Sequence, residues 1–515
     1  MSPPAAAVQM SLFEEAPPEE AVPQKAEPSK RSAPRQPARR PHAYPALTNQ
    51  LALNDELVAR KKAESQEKLR RKKLGLPKLV KTEADKAEER ILQERWMDAC
   101  RVLALRGHEP LPFPDMLEEV RRRVTDDPGH YGLQNDPAAL DPDSIVFLNC
   151  GLGQNSVCLC VLLVLGLLPA WIYSHHVVIV FSDTMAERPS TYAYALNVLI
   201  PFLDRYGVEF VWLMPDVPFH YGMSEPAPEL AWLDEALAEV KTESRFHVTR
   251  NRVLKGIIET YVGDVHASFP MWSSRARCTT NHKQNVLARY RDAVRRDWNG
   301  RSAVQQTNSG YRDWVLVGIG ADEPGRAEPT LEQNYLCLYP LLAYNLGRQE
   351  QVALIEAAAL PVPEKSGCCV CYAAPMYERW YLSQSFPAVF GQMVAMEQAS
   401  IEDRLNRIDP KTKLPAPLKP NYVCQEYDLP LPEAVAKWHE ENPHVTVEMC
   451  AEWLISRTYN RDERPVKCHV TADQLTFDVD GLDPDEVLAL LEQIEAEEAG
   501  DQMEFPVPAP MGNVR

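Results

Sequence analysis

The sequence predicts an α/β protein: a parallel twisted sheet with helices on both faces, a disordered N-terminal tail and a small C-terminal α+β extension. Two patterns and the composition lead there. Apolar runs of strand length stand at SIVFLN (144–149), HVVIVFSDT (176–184), VEFVWLM (208–214) and DWVLVGIGADE (313–323). Between strands lie segments with apolar residues at helical spacing, as in RPSTYAYALNVLIPFLDRYG (188–207). Strands that are apolar throughout belong to a sheet buried on both sides, and parallel neighbours need a crossover with room for a helix. Hydrophobic residues make up 45% of the chain and charged residues 25%, a globular balance able to bury a sizeable core.

Residues 1–50 are rich in Pro, Ala, Glu, Lys and Arg and poor in large apolar groups. They cannot offset the entropy of ordering, so a disordered tail is expected. Residues 51–142 form a helical, partly basic N-terminal extension, with NDELVARKKAESQEKLRRKKLGL and, after Pro77, TEADKAEERILQERWMDACRVLALRG. Within it KLRRKK (68–73) suits a nucleic-acid phosphate backbone; a solvated helix face is the equal alternative. Residues 143–405 carry the strands and make the main α/β domain. Its stretch 215–312 is longer than one crossover and is expected to hold mostly helical insertions. Residues 406–515 are a Pro/Lys linker and a small α+β unit: a helix around TVEMCAEWLISRTY (446–459), a strand pair around PVKCHVTADQLTFDVD (465–480) and a helix in PDEVLALLEQIEAEEAG (484–500).

The net charge of −18 argues against a protein that coats nucleic acid with its whole surface, but leaves room for a local basic groove. The acidic, Pro-rich start MSPPAAAVQMSLFEEAPPEE lacks the basic-then-apolar pattern of a secretory signal. The apolar run VCLCVLLVLGLLPAWIY (157–173) is broken by Pro169, is short for a membrane span and reads as a buried helix. A cytoplasmic protein without membrane contact is expected, its 12 cysteines reduced apart from a minority in a metal or catalytic site.

The loop LNCGLGQNSVCL (148–159) joins the first strand to the apolar helix. Ligands of open α/β sheets bind beyond the carboxyl ends of the strands. Gly151 and Gly153 permit close backbone approach, the helix that follows directs unpaired N–H groups at the loop, and Ser156 adds a hydroxyl. Together they suit a phosphate. No Gly-Lys-Ser/Thr follows, so this is not a Walker loop, and a plain glycine-bearing turn is the alternative. The second strand ends in Asp183 and Thr184, a carboxylate and a hydroxyl suited to a ribose or adenine. Cys368 and Cys371 form a Cys-x-x-Cys pair fit to supply two thiolates to one ion; buried thiols without metal are the alternative.

Taken in order, these segments resemble the phosphoadenosine phosphosulfate reductase-like branch of the PP-loop superfamily, the branch met in phage and bacterial genomes. Gly151, Gly153 and Ser156 are similar to its Gly-x-Gly-x-x-Ser loop. SDTMAERPSTYAY (182–194) is similar to its Asp-Thr-Gly-x-Glu-x-Pro-x-Thr-Tyr segment, SRARCTTNHKQN (274–285) to its Arg-x-Cys-Thr…Lys segment, and VGIGADEPGR (317–326) to its Gly-Ile-x-x-Asp-Glu-x-x-Arg segment. YPLL (339–342) and PEKSGCCVC (363–371) are similar to its last two segments. The match covers about 143–400, half the chain. Against the Ser-Gly-Gly-x-Asp-Ser loop of PP-loop pyrophosphatases, Leu152 replaces a glycine, Asn155 stands where an acid is expected, and Gln154 is at the variable position. The C-terminal Glu-Cys-Gly of true reductases is missing.

The resemblance implies a PP-loop fold and binding of ATP or a related adenine nucleotide at Gly151, Gly153, Gln154, Asn155, Ser156, Asp183 and Thr184. It implies adenylylation or sulfur transfer to a nucleic acid or small acceptor, with Cys278, Asp322 and Arg326 as catalytic residues, rather than phosphoadenosine phosphosulfate reduction. A catalytically weakened nucleotide-binding module in a larger assembly is the alternative. Asp322 and Glu323 suit Mg²⁺ or the ribose and Arg326 a phosphate; away from the resemblance they read as a surface ion pair. Cys278 becomes the third partner of Cys368 and Cys371, with Cys337 or Cys369 the fourth, in a zinc or iron–sulfur site. The setting implied is the cytoplasm of a bacterium or a phage-infected host.

Overall fold

A computed structural model describes residues 45–106, 108–126, 144–216, 228–238, 246–251, 279–300, 302, 312–329, 335–371, 373–406, 408, 422–424 and 426–456. Six strands form one sheet: β1 (Ile145–Asn149), β2 (His176–Ser182), β3 (Phe210–Pro215), β4 (Phe246–Asn251), β5 (Asp313–Val317) and β6 (Tyr335–Leu338). The order is β4-β3-β2-β1-β5-β6 and every pair is parallel. Alternation of side chains divides each strand between two cores. Val146 and Leu148 face one, Ile145 and Phe147 the other.

The first face carries most helices. These include α3 (Phe113–Asp126), α4 (Gln154–Val164), apolar from Val157 onward, and α5 (Pro189–Tyr194), which continues through a π-helical turn (Ala195–Leu199) into Ile200–Arg205. After β3 comes α6 (Ala231–Ala238). The opposite face receives α7 (Asn285–Asn299) through Val286, Leu287, Tyr290 and Val294. Pro169 separates α4 from a short buried turn at Ala170–Tyr173, so the apolar run is core as expected. Among the described residues no helix is long and apolar enough to cross a membrane.

Two expectations for the α/β region need correction. The stretch 215–312 contains a strand, β4, which pairs with β3 at the sheet edge. Its sequence FHVTRN alternates apolar and polar only briefly, and an edge strand needs no fully apolar run. β6, only YLCL, was too short to separate from the motif that follows it.

At the N-terminus, a helix already begins at Pro45, within the stretch assigned to the tail; proline suits the first helical position, where its missing N–H costs nothing. Residues 1–44 lie outside the described residues. α1 (Pro45–Lys73) and α2 (Glu83–Leu105) form an antiparallel hairpin, with Gln50 bonded to Cys100 and Arg60 paired with Glu88. A reciprocal cap between Thr82 and Asp85 starts α2. The base of the hairpin packs Leu53, Leu57, Leu92, Trp96 and Met97 against Ile319, Ala327, Tyr339 and Leu342, all beyond the carboxyl ends of β5 and β6. The hairpin is therefore part of the fold and stands beyond the carboxyl ends of β5 and β6.

The chain after β6 adds α8 (Arg348–Ala357), α9 (Met376–Ser385), α10 (Pro387–Leu405), α11 (Leu431–Glu441) and α12 (Val447–Ser456). Leu431, Ala434, Cys450 and Leu454 belong to the main core, so residue 405 does not end the domain. The compact unit runs over Met1–Arg457, and the remaining unit, Thr458–Arg515, lies outside the described residues. The strand pair expected at 465–480 and the helix expected at 484–500 also fall outside the described residues.

Candidate functional site

The chain leaves β1 toward β2 and leaves β5 toward β6, in opposite directions along the sheet. Loops that diverge this way open a crevice between neighbouring strands, the usual ligand position in open α/β sheets. Loop 150–153 forms one wall and 318–323 the other. A side chain on Gly318 would meet the Asn155 backbone at 2.9 Å, and one on Gly153 would meet Ser366 Oγ at 2.6 Å. Gly151 is different: nothing lies within 4 Å of the place its Cβ would occupy. That glycine borders open space and is not required by internal packing.

Leu152 takes a left-handed backbone, φ 58°, although its side chain is buried. So does Met185, φ 57°, just past β2. Such conformations cost a non-glycine residue about 1–2 kcal/mol and cluster at functional sites. Met185 stands where the resembled Asp-Thr-Gly segment has glycine.

The loop residues divide. Gly153 is the N-cap of α4 with no side chain to block its first amides. Asn155 is half-buried, and Ser156 Oγ donates to the Gly153 carbonyl at 2.9 Å. Gln154, expected to meet the nucleotide, turns inward. Its amide donates to the carbonyls of Pro363, at 3.1 Å, and Ile455. Arg348 donates to the same Ile455 carbonyl at 2.7 Å. The carboxyl end of α12 is thereby tied to the first residue of α4.

Asp183 is also committed internally. One oxygen accepts from the Met185 N–H (2.7 Å) and the Tyr192 hydroxyl (2.8 Å), the other from Trp212 Nε1 (2.9 Å). Burial pushes its carboxyl up to about 7, against the pull of these donors. Rather than offering a free carboxylate to a ribose, Asp183 shapes the turn after β2. Thr184 donates to Glu187 at 3.3 Å, and Glu187 accepts from Lys283 Nζ at 3.0 Å. Burial draws the Lys283 ammonium down, but Glu187, with Cys368 and Asp183 nearby, leaves it above its ordinary value.

Lys283 lies on a π-helical turn, Thr280–Gln284, a form often found at functional sites. Ser182 Oγ fastens that turn by donating to the His282 carbonyl at 2.9 Å. The third segment, 364–371, closes the cluster. Cys368 pairs with Glu187 in an antiparallel bridge, and the Cys369 N–H donates to the Ala186 carbonyl at 2.6 Å. Arg188 and Lys365 both bind Glu378, at 3.0 and 2.5 Å. Three of the resemblance segments thus meet at the end of β2.

Other expected site residues fall elsewhere. Arg326 is 66% exposed and pairs with Glu323, three residues before it. Asp322 is exposed on the same turn. This is the surface ion pair held open as the alternative. Cys337 lies on β6, packed with the hairpin cluster, while Cys368 adjoins the main core and Glu187. Cys278 lies outside the described residues. Among the described residues no three His, Cys, Asp or Glu side chains are grouped for a metal ion. Of the expected centre, the described residues place Cys368 and Cys371 at the two ends of one turn and Cys337 apart from them on β6.

The motifs alone do not reveal Ser366 over Gly153, the buried Arg188–Glu378 pair or the Arg348–Ile455 tie. Ser366 follows the lysine of a quoted segment and was within reach of sequence reasoning. The other contacts join residues remote in the chain and leave no local signal.

The chain matches no family model, and no curated protein matches it at a significant level.

Proposed function

We propose that the chain is a PP-loop-type protein that binds ATP or a related adenine nucleotide in the β1/β5 crevice and acts as an adenylylating or sulfur-transfer enzyme on a nucleic acid or small acceptor. The observation that carries the reading is the meeting of the 182–190, 280–283 and 364–371 segments beside a glycine loop at the switch point. Left-handed backbone at Met185, where the resembled segment has glycine, supports it further. In this reading the amides at the start of α4 hold phosphate oxygens and stabilise charge developing on the α-phosphate. Lys283 offers a second cation, its side chain 39% exposed and its ammonium bonded to Glu187. The bond between α- and β-phosphates breaks, AMP passes to the acceptor, and a sulfur nucleophile displaces it. Arg326, paired with Glu323, is replaced in this scheme by Lys283.

Gly151→Asp tests the reading. A Cβ at this position meets no protein atom within 4 Å, so the fold is expected to keep its melting temperature while a carboxylate is placed beside the phosphates. Calorimetric ATP affinity should fall at least tenfold, about 1.4 kcal/mol. Equal affinity would remove the nucleotide from this crevice. Gly153→Asp is a poorer test because it strikes Ser366. The inward commitment of Gln154 and Asp183 favours a second reading, a nucleotide-binding module without turnover. Tight ATP binding without pyrophosphate release would select it.

A nucleic-acid acceptor has its support at the tip of the α1–α2 hairpin. Residues 60–81 hold ten Lys and Arg against two Glu in a chain of net charge −18. Glu64 and Glu67 engage Lys68, Arg70, Arg71 and Lys81, while Lys72 and Lys73 are exposed. Replacing Arg70, Lys72 and Lys73 by Gln in the full chain is expected to weaken binding to RNA or DNA at least tenfold at low salt, and to flatten its salt dependence. Filter binding that is equal for both proteins would make the tip a solvated helix end only.

A further inference from the structure

We propose that Cys368 and Cys371 are a redox-active dithiol, which closes to a disulfide by exchange with a low-molecular-weight disulfide. The inference goes beyond the nucleotide reading and stands without it. Its first support is backbone geometry. The Cys371 N–H donates to the Cys368 carbonyl at 3.0 Å, so the two cysteines are the first and last residues of a β-turn. The ends of such a turn lie less than about 7 Å apart at Cα, and a disulfide spans about 4.4–6.8 Å. The pair can therefore close with little backbone movement.

Exposure separates the two from their neighbour. Cys368 and Cys371 are half-buried, within reach of a small reagent, whereas Cys369 is buried with its N–H held by the Ala186 carbonyl. Vicinal closure between Cys368 and Cys369 is thereby disfavoured. The surroundings supply a cation: Lys283, bonded to Glu187, lies beside Cys368, whose backbone bridges to the same Glu187. Burial and Glu187 nevertheless hold the Cys368 thiol well above its ordinary value and burial raises the Cys371 thiol, so exchange is slow and the dithiol shows itself at equilibrium. Among the described residues no third ligand is grouped with the pair.

Exchange takes two steps. One cysteine sulfur attacks a disulfide RSSR, forming a mixed disulfide and releasing RS⁻. The second sulfur attacks the first, closing the Cys368–Cys371 bond and releasing another RS⁻. The two protein thiols give up two protons to the two leaving thiolates and two electrons to the reagent, so RSSR becomes 2 RSH.

The test is peptide mapping of the full-length protein after equilibration in glutathione redox buffers and alkylation. One Cys368–Cys371 linkage is expected, its oxidised-to-reduced ratio changing tenfold for about 30 mV of buffer potential. Cys369→Ser should leave that curve in place. Cys371→Ser should abolish the linkage and trap Cys368 as a mixed disulfide with glutathione. A Cys368–Cys369 linkage overturns the proposal, as does persistence of both free thiols in the most oxidising buffer. So does a stoichiometric zinc or iron content that Cys368→Ser removes. ATP affinity is measured separately, so loss of the nucleotide reading would leave these outcomes untouched.

Discussion

Arg295→Met is expected to destabilise the fold by about 3–5 kcal/mol, the cost of leaving a buried charge without its partner. Arg295 and Asp313 are both 0% exposed. Arg295 Nε donates to Asp313 at 2.6 Å, and the other Asp313 oxygen accepts from the Ile145 N–H at 3.1 Å. One ion pair therefore joins α7 to β5 and β5 to β1. Burial raises the Asp313 carboxyl even with Arg295 opposing that rise. Removing the guanidinium removes the opposition, so the variant should regain stability on acidification, as Asp313 takes up a proton. Arg295→Met with Asp313→Leu should recover most of the loss, because a well-packed apolar pair can replace a buried ionic one. Chemical denaturation measures all three proteins. A single-variant loss under about 1 kcal/mol would show that the pair holds nothing together.

Asp183→Ala is expected to cost about 2–4 kcal/mol, since it strands the Trp212 N–H, the Met185 N–H and the Tyr192 hydroxyl in the core. Its pH dependence is the sharper signature. Burial moves the Asp183 carboxyl from 3.8 to about 7. The folded state then holds the proton more tightly than the unfolded state. Stability from this group is complete below about pH 4, falls as pH rises toward about 7, and is level above that. In Asp183→Asn the position does not ionise. The stability of wild type minus that of Asp183→Asn should therefore decline across this window. A difference independent of pH would mean that Asp183 ionises as freely in the folded protein as in the unfolded one.

Residue order and hydrophobic pattern alone determined the α/β class, four of the six strands, the buried helix after β1 and the hairpin's two helices. These follow from local rules: period, apolar run length and caps such as Thr82–Asp85. The glycine loop and the Cys-x-x-Cys pair were equally legible, because their chemistry lies in neighbouring residues. The sequence did not reveal which side chains the fold had already engaged. Gln154 and Asp183 both look like ligands in one dimension. In three, Gln154 holds the carbonyls of Pro363 and Ile455, and Asp183 holds Trp212, Tyr192 and Met185. Arg326 looked like a phosphate clamp and pairs instead with Glu323. Lys283, about 100 residues from Glu187, proved to be its partner. Buried polar groups must find hydrogen bonds wherever packing brings them, and packing brings together residues whose separation along the chain carries no signal. Tertiary structure therefore decided the composition of the site, while the sequence determined the sheet edge on which the site stands.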